Sequence, residues 1–319
     1  MLAAYAARFD PQDPRNGLEV GDLPAPEPPV GWSIVDVRAA ALNHHDLWSL
    51  RGVGLRADQL PMILGTDAAG VTADGREVVV HAVIGATGHG VGPTEGRTIL
   101  SERYPGTLAE QVAVPTWNLV DKPSGLTFSE AACVPTAWLT AYRMLFTSAH
   151  VSPGDSVLVQ GVGGGVASAA IALAAATGIE VFATSRDATK RDRAIALGAT
   201  LAVEPGAHLP RRVDAVIETV GAATWSHSVR SLRPGGTIVV AGATSGDASP
   251  AELQRIFFLE LSVVGATMGT KDDLQGVLAL MMRTGLRPLI DTELPLAGAA
   301  RGIARLASGQ QLGKIVLHP

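Results

Sequence analysis

The segment of residues 160–167, which reads Gln-Gly-Val-Gly-Gly-Gly-Val-Ala, constrains the fold of this 319-residue chain more than any other. It follows the nearly continuous apolar run of residues 157–160 and precedes an Ala-rich run that stops at Gly178. A short apolar run is typical of a strand that is buried on both faces. The Ala-rich run predicts a helix, with Gly178 just beyond its C-terminus. The segment is therefore predicted to be a glycine turn between a buried strand and a helix.

The glycines of this turn have different expected roles. Gly161 permits the tight turn, while Gly164 and Gly165, followed by Val166, bring the backbone close to a pyrophosphate at the helix N-terminus. Ala167 keeps the helix close to the sheet. The spacing Gly-x-x-Gly-x-x-Ala departs from a strict Gly-x-Gly-x-x-Gly, so a glycine-rich turn without a ligand is the alternative. We predict that residues 161 and 164–166 bind a dinucleotide.

The composition and the pattern of predicted secondary structure change near residue 125. Residues 1–124 are rich in Pro and Gly and contain short strands such as residues 33–38, where apolar and polar side chains alternate. After residue 125, strands and helices alternate, which is typical of βαβ units and a parallel sheet. We predict an α/β fold with a β-rich domain over residues 1–124, a doubly wound domain over 125–267 and a return of 268–319 to the first domain.

Composition excludes several classes of protein. Lys and Arg total 25 against 30 Asp and Glu, so no basic excess exists to bind nucleic acid. A hydrophobic fraction of 47% with 17% charged residues excludes a disordered chain. The single cysteine, Cys133, excludes an intramolecular disulfide framework and an all-cysteine metal cluster. We find no signal peptide, and residues 166–179 are shorter than the about 20 residues of a membrane span. A cytoplasmic protein without a nucleic-acid or membrane partner is expected.

The residues that follow the predicted strand 180–184 indicate which dinucleotide binds. Ser185, Arg186 and Lys190 offer a hydroxyl group and positive charges to a 2′-phosphate. An acidic residue at this point would bind the ribose of NAD, and the nearby Asp187 leaves NADH open. An ordinary solvated basic face is the plain alternative. We predict NADPH as the cofactor.

Further segments, in one order along nearly the whole chain, carry a family resemblance. They are residues 41–48 (ALNHHDLW), 64–70 (LGTDAAG), 106–110 (GTLAE), 139–142 (LTAY), 193–199 (RAIALGA) and 313–317 (GKIVL). With the glycine turn, they make the chain resemble the medium-chain dehydrogenase/reductase superfamily, in its zinc-free quinone oxidoreductase-like branch. The resemblance implies a GroES-like catalytic domain, an inserted Rossmann domain, a cofactor cleft between them and a homodimer formed through the cofactor domains.

The resemblance also bears on metal binding. In zinc-containing relatives the ligands are Cys, His and Cys, whereas the matching positions here are Asn43, Thr66 and Thr136, with Asp67 as the acidic neighbour. Neutral hydroxyl and amide groups are poor zinc ligands. We therefore expect no metal, zinc included.

Without zinc, direct reduction of a carbonyl group loses its Lewis acid. Hydride transfer to the far carbon of a quinone or enone depends less on a Lewis acid, because the negative charge spreads to an oxygen that hydrogen bonds stabilise. By family position, Asn43 and Thr66 are the expected catalytic donors, although capping a turn and packing are their plain alternatives. We expect NADPH-dependent reduction of a small-molecule quinone or α,β-unsaturated carbonyl compound.

Other cofactor contacts follow from the resemblance alone. It places Lys314 close to the cofactor phosphates, and a rim lysine is the alternative there. The remaining expected contacts are Thr140, Val220, Ala243, Thr244 and Met268. The loop of residues 85–97 suits either a substrate lid or a plain surface loop.

Two other functions stay open at this point. One is an alcohol dehydrogenase in which an unusual ligand set still holds a metal. The other is a non-catalytic NADPH-binding protein, a sensor or a structural protein, because a fold does not fix a function. The physiological substrate and the proton donor are not readable from the chain.

Overall fold

The computed structural model describes residues 1–85, 96–247 and 250–319. These residues form two compact units, one made of Met1–Ala137 with Gly269–Pro319 and the other of Trp138–Met268. The predicted loop of residues 85–97 lies mostly outside the described residues. Within them, no helix is long and apolar enough to span a membrane.

The strands are numbered in chain order. They are β1 (Leu2–Ala6), β2 (Leu18–Asp22), β3 (Trp32–Ala41), β4 (Met62–Ile63), β5 (Ala68–Thr72), β6 (Glu77–Val80), β7 (Val83–Ile84), β8 (Thr98–Ile99), β9 (Gln111–Pro115), β10 (Leu119–Asp121), β11 (Ser156–Val159), β12 (Glu180–Thr184), β13 (Leu201–Val203), β14 (Val213–Glu218), β15 (Leu232–Val240), β16 (Ser262–Gly265), β17 (Ile290–Pro295) and β18 (Lys314–His318).

The helices are numbered in the same way. They are α1 (His44–Leu50), α2 (Phe128–Ala132), α3 (Leu139–Tyr142), α4 (Gly165–Ala176), α5 (Ala188–Ala196), α6 (Trp225–Ser231), α7 (Leu253–Phe258), α8 (Lys271–Thr284) and α9 (Ala299–Ala307). Short 3₁₀ turns lie at Pro14–Gly17, Ala57–Gln59, Thr116–Asn118 and Leu296–Gly298, and π turns at Val134–Trp138 and Arg143–Ser148.

The first unit is built mainly of antiparallel strands. Its seven-stranded sheet has the order β10-β6-β5-β3-β18-β17, with β9 also paired to β3. Val35 and Val37 of β3 are buried and Arg38 is exposed, so the predicted alternation over residues 33–38 is confirmed. The last strand, β18, lies antiparallel beside β3 with Val316 opposite Ala41. The C-terminal segment thus completes the sheet of the first unit.

The second unit contains the predicted doubly wound sheet. Six parallel strands have the order β13-β12-β11-β14-β15-β16. Every residue of β11 is buried, which explains its nearly continuous apolar sequence. Leu158, Phe182, Val216 and Ile238 form the core on this sheet. The α/β fold with a GroES-like unit and a Rossmann unit is confirmed.

The contacts place the first boundary between the units at Ala137, later than the predicted residue 124. The change in sequence pattern near residue 125 lies just before α2. This helix packs on β3 and β5 of the first unit. Two π turns flank the short helix α3 after this boundary region. Pro135 lies in the first of them, where it has no N–H for a regular helical hydrogen bond.

Candidate functional site

The glycine turn leaves the start of α4 open to an anion. Gly161 and Gly163 have φ values of +75° and +133°, which favour glycine. Gly164 precedes α4 in an extended conformation, and among the described residues no side chain caps this helix. A Cβ built on Gly164 would meet no described atom within 4 Å. The first N–H groups of α4 thus have no side-chain acceptor among the described residues, and the binding of a phosphate there stays a prediction.

Two other predicted cofactor contacts lie against this turn. A Cβ on Gly161 would be 2.5 Å from Val220 Cγ2, and one on Gly163 would be 2.8 Å from Lys190 Nζ. Lys190 therefore brings a positive charge to the turn from α5. A cation beside the open N-terminus of α4 strengthens the attraction for a dinucleotide pyrophosphate.

The loops that follow β14 and β15 meet beside Val220. The Ser245 N–H donates to the Val220 carbonyl over 2.7 Å, and the Thr244 hydroxyl donates to the Thr219 carbonyl over 3.3 Å. Ala243 lies 3.0 Å from the position of a Cβ on Gly221. The structure thus brings Val220, Ala243 and Thr244 together at the carboxyl edge of the sheet, where open α/β sheets bind ligands.

A buried carboxylate holds the turn around Val220. Glu218 is fully buried and accepts hydrogen bonds from the N–H groups of Val220 and Gly221 at 2.8 and 3.0 Å. It also accepts from the hydroxyl groups of Thr224, at 2.9 Å, and Ser228, at 2.6 Å. Four donors balance the cost of burying this charge.

Gln160 connects the Glu218 network to the glycine turn. Its Nε2 donates to Ser228 Oγ over 3.0 Å, and its Oε1 accepts from Thr184 Oγ1 over 2.6 Å. Thr184 Oγ1 in turn accepts from the Gly161 N–H over 3.3 Å. The sequence analysis missed this network, because only the polar Gln160 at the end of an apolar run indicates it.

The residues after β12 are arranged around the start of α5. Asp187 caps α5, with its Oδ1 3.3 Å from the Lys190 N–H, so its carboxylate is engaged by the helix. Ser185 is buried and its Oγ accepts from the Asp187 N–H over 3.2 Å, while Arg186 is exposed. Arg191 Nη1 donates to the Ser185 carbonyl over 2.8 Å. Ser185 and Arg186 thus stand where β12 ends, close to the glycine turn.

Two predicted contacts lie elsewhere in the second unit. Thr140 is buried on α3, which packs on α4. Met268, the last residue of this unit, is buried with φ +49°, an unusual backbone conformation for a non-glycine residue. Such strained residues cluster at functional sites. Their cofactor contacts stay predictions.

The first unit contains a second group of predicted residues. Asn43 stands just before α1, where its N–H donates to Asp46 Oδ2 over 2.8 Å. Its side-chain Nδ2 is 2.9 Å from Asp67 Oδ2 and 3.3 Å from Thr66 Oγ1. Thr66 Oγ1 lies 2.9 Å from Thr136 Oγ1. The three positions that match zinc ligands in relatives therefore meet in one polar cluster, in which Asn43 and Thr66 are buried and Thr136 is half-buried.

Lys314 reaches the same cluster from β18. Its Nζ donates to the Leu42 carbonyl at 2.7 Å, to Asn43 Oδ1 at 2.6 Å and to Asp67 Oδ2 at 2.8 Å. Only 4% of its side chain is exposed. Each of its three ammonium hydrogens has a protein acceptor, which differs from the expected position close to cofactor phosphates. The β3–β18 pairing, which brings the first residue of β18 under residues 42 and 43, is the physical reason.

Two buried carboxylates give this cluster its negative charge. Asp46 accepts from the N–H groups of Asn43, at 2.8 Å, and Gly65, at 3.0 Å. Burial raises the pKa of Asp46, although the Asn43 hydrogen bond and the charges of His45 and Lys314 lower it. Asp67 is fully buried, and its Oδ1 has no hydrogen-bond partner among the described residues.

The donor set of the cluster is poor for zinc. Asn43, Thr66 and Thr136 are neutral, and the Lys314 ammonium would repel a second cation. In the part of the chain that the structure describes, no three His, Cys, Asp or Glu side chains are grouped to hold a metal ion. Cys133 is buried, donates to the Ser129 carbonyl at 3.2 Å, and has a thiol pKa that burial raises well above its usual range. It is therefore a structural thiol.

The fold and both sites are those expected of a two-unit oxidoreductase built on a nucleotide-binding sheet, and comparison with known proteins supports this class. Family models match here under the descriptions "Alcohol dehydrogenase GroES-like domain", over residues 29–124, and "Zinc-binding dehydrogenase", over residues 165–283. A solved structure described as an NAD-dependent alcohol dehydrogenase is 34% identical, with full coverage of both chains and a TM-score of 0.90. The chain therefore belongs to the medium-chain dehydrogenase/reductase superfamily.

Curated relatives of similar length have different substrates. The acryloyl-coenzyme A reductase of Sulfurisphaera tokodaii is 28% identical over 96% of this chain and 98% of its own. The quinone oxidoreductase of Pongo abelii is 28% identical over 93% of this chain and 92% of its own. The protein is accordingly an NAD(P)-dependent oxidoreductase of this superfamily.

Proposed function

We propose that this protein is an NADPH-dependent reductase of quinones or α,β-unsaturated carbonyl compounds that works without zinc. The observation that carries the proposal is the Lys314 ammonium group, hydrogen-bonded to Asn43 and Asp67 inside the cluster where zinc-containing relatives have metal ligands. This observation supports the proposal that the chain belongs to the quinone oxidoreductase-like branch of its superfamily.

The charge of the cluster supports a reaction without a metal. The Lys314 ammonium neutralises Asp67 in a site that excludes water, so the cluster already contains its own cation. At the three matching positions a zinc ion would meet neutral donors, and the neighbouring Asp67 carboxylate is already paired with the fixed positive charge of Lys314. Reduction of an isolated carbonyl group is then disfavoured, because no Lewis acid polarises it.

The hydroxyl groups of the cluster are suited to stabilise a conjugated acceptor. Thr66 and Thr136 share one hydrogen bond, so one hydroxyl hydrogen remains for another acceptor. Thr136 is half-buried whereas Thr66 is buried, and Thr136 is therefore the member of the pair that a substrate oxygen reaches more easily. Asn43, oriented by Lys314, donates toward Thr66 and holds the pair in place. Donors held in this way stabilise negative charge on the substrate oxygen.

The second unit supports NADPH as the cofactor. NADPH, when bound, supplies the hydride that is added to the electron-poor carbon. The open start of α4 and Lys190 suit its pyrophosphate, and Ser185 and Arg186 suit its 2′-phosphate. Asp187, the acidic residue that would bind the ribose of NADH, instead caps α5. NADPH is therefore favoured over NADH.

Titration and turnover together test this proposal. Purified protein is analysed for metal and titrated with NADPH and NADH by cofactor fluorescence, and then assayed with a panel of quinones and enones. We expect tight NADPH binding, weak NADH binding, no stoichiometric zinc, and turnover that a chelator does not change. Stoichiometric zinc with alcohol oxidation would instead establish the metal-dependent alcohol dehydrogenase. NADPH binding without turnover on any acceptor would establish the non-catalytic alternative.

A further inference from the structure

The connection between β13 and β14 leaves a cavity in the second unit. These strands are separated in the sheet by β12 and β11, yet only residues 204–212 join them, and none of these residues is helical. A crossover between parallel strands usually contains a helix. Here a cavity of about 360 Å³ lies between this connection and residues of α6 and α7. Its volume is within the range of small-molecule sites.

The cavity has an unusual concentration of positive charge. Its lining includes Arg211, Arg212, Arg230 and Arg255 with His208 and His227, and among the described residues it includes no Asp or Glu. The whole chain has a net charge of −5, so this concentration does not reflect a generally basic protein. Four guanidinium groups around one cavity repel each other unless an anion lies between them.

Most of these charges are not neutralised by the protein. Arg211 Nε pairs with Glu180 Oε2 at 3.0 Å, and Arg230 Nη1 donates to the neutral Ser226 Oγ at 2.6 Å. Within residues 1–85, 96–247 and 250–319, Arg212 and Arg255 have no carboxylate partner. The planar fork of an arginine binds the oxygens of a phosphate in pairs. Arg212 and Arg255 are therefore available to an external anion.

Contacts of the connection of residues 204–212 and the end of α6 locate the cavity relative to the strands. His227 Nε2 contacts the Ala207 carbonyl at 3.0 Å, and Arg211 pairs with the first residue of β12. Arg230 and Ser231 end α6 just before β15 begins. Glu180 and the end of α6 lie at the amino ends of strands, whereas the glycine turn follows the carboxyl end of β11. The two sites share no lining residue, although His227 Nδ1 also lies 3.0 Å from Nε2 of Gln160, the residue before the glycine turn.

We propose that this cavity is a second ligand site, for a phosphorylated small molecule, separate from the site of the dinucleotide. Arg212 and Arg255 bind the phosphoryl group, and Leu209 and Ala207 supply apolar contact for the rest of the molecule. The connection of residues 204–212 is held on one side by His227 and on the other by Glu180, so the site is largely preformed.

Calorimetric titration with pyrophosphate tests this site. The titration is made at constant ionic strength, with and without saturating NADPH, because pyrophosphate also suits the glycine turn. The variant Arg212→Ala/Arg255→Ala is compared with the control Arg193→Ala/Arg283→Ala, which loses the same charge from exposed positions outside the cavity. We expect binding at saturating NADPH that weakens by roughly tenfold or more in the first variant and is unchanged in the control.

Three results would overturn the proposal. They are the absence of pyrophosphate binding at saturating NADPH, equal binding by the wild type and the cavity variant, and equal weakening in both variants, which would show a general charge effect. If the protein does not bind NADPH, the cavity variant and its control still decide the question without it. The outcome is thus separate from that of the proposed reductase activity.

Discussion

The ammonium group of Lys314 and the carboxylate of Asp67 form an ion pair of 2.8 Å in which 4% and 0% of the two side chains are exposed. The pair joins β18 at the C-terminal end of the chain to the residue just before β5. Buried pairs of this kind contribute little net stability relative to apolar residues, but removing one partner leaves an uncompensated charge. Lys314 and Asp67 therefore depend on each other.

Removal of one partner is expected to destabilise the first unit strongly. Lys314→Met leaves Asp67 unpaired in a dry site, and we expect a loss of about 3–5 kcal/mol in the free energy of unfolding. Asp67→Asn removes the same charge interaction from the other side. The double variant is expected to lose clearly less than the sum of the two single losses, and urea unfolding measures all three. Additive losses, or a single loss within the error of the wild type, would contradict the pairing.

The hydroxyl pair gives a prediction about activity. Thr136→Val keeps the shape of the side chain but removes the proposed donor to the substrate oxygen, so we expect a fall in kcat of roughly tenfold or more with quinones and enones. Thr66→Val should have a similar effect through its hydrogen bond to Thr136. Thr116→Val removes an exposed hydroxyl bonded to Ser33 and serves as the matched control. If Thr136→Val has the activity of the control, the hydroxyl pair has no catalytic role.

Much of the fold follows from local patterns of the sequence. The predicted strand of residues 180–184 is β12 itself, and the helix predicted between the glycine turn and Gly178 is α4. These elements obey periodicity and capping, which act over a few residues. Local patterns do not fix the boundary at Ala137. The sequence of α2 is helical whether the helix packs on the first unit or on the second, so only tertiary contacts assign it.

The sites were less predictable because they depend on pairing between distant segments. The side chain of Lys314 points into the Asn43 cluster only because β18 pairs with β3, from the opposite end of the chain. The links from Glu218 through Ser228 to Gln160 likewise require the completed sheet. A motif such as the glycine turn indicates the cofactor, but the partners of a buried charge are fixed by tertiary structure.

Substitutions at two glycines of the turn distinguish an effect on stability from an effect on cofactor binding. Gly161→Ala places a Cβ 2.5 Å from Val220 Cγ2 at φ +75°, so we expect lower stability and weaker NADPH binding. Gly164→Ala adds a Cβ in open space, so we expect unchanged thermal stability but weaker NADPH binding, because the methyl group keeps the pyrophosphate away from α4. Thermal unfolding and NADPH titration distinguish the two effects. Full NADPH affinity in Gly164→Ala would show that the pyrophosphate does not lie there.

The stability of the first unit is expected to fall in acid through His81. His81 is fully buried and its Nε2 donates to the Gly269 carbonyl at 2.9 Å, while its Nδ1 has no partner among the described residues. Burial lowers the pKa of His81 and the charge of Lys271 adds to this, whereas the Gly269 hydrogen bond and Asp273 oppose it. The unfolded chain then binds this proton more readily than the folded chain, so stability falls as the pH drops below about 6.5.

The variant His81→Gln isolates this effect. Glutamine can still donate to the Gly269 carbonyl but does not titrate. We expect His81 alone to contribute up to about 1.4 kcal/mol per pH unit to the wild type's loss of unfolding free energy below about pH 6.5, and the variant to lack this contribution. Urea unfolding at a series of pH values measures the difference. His227, whose pKa burial also lowers, is retained in both proteins and leaves a common residual slope. Identical slopes would remove His81 as the cause.

The second unit has a surface that predicts the homodimer expected from the family. Phe257 and Phe258 of α7 are 70% and 79% exposed, and Val263 of the adjacent β16 is 47% exposed. Within the described residues, β16 pairs on one side only, with β15. An exposed apolar patch beside an open sheet edge favours association with a second copy across a two-fold axis.

We expect light scattering after gel filtration to give the mass of two chains, and Phe257→Glu/Phe258→Glu to give the mass of one. Val53→Glu places a charge at an exposed apolar residue of the first unit and should leave the dimer intact. A monomeric wild type, or a dimer that survives both charges on α7, would show that this surface is not the interface.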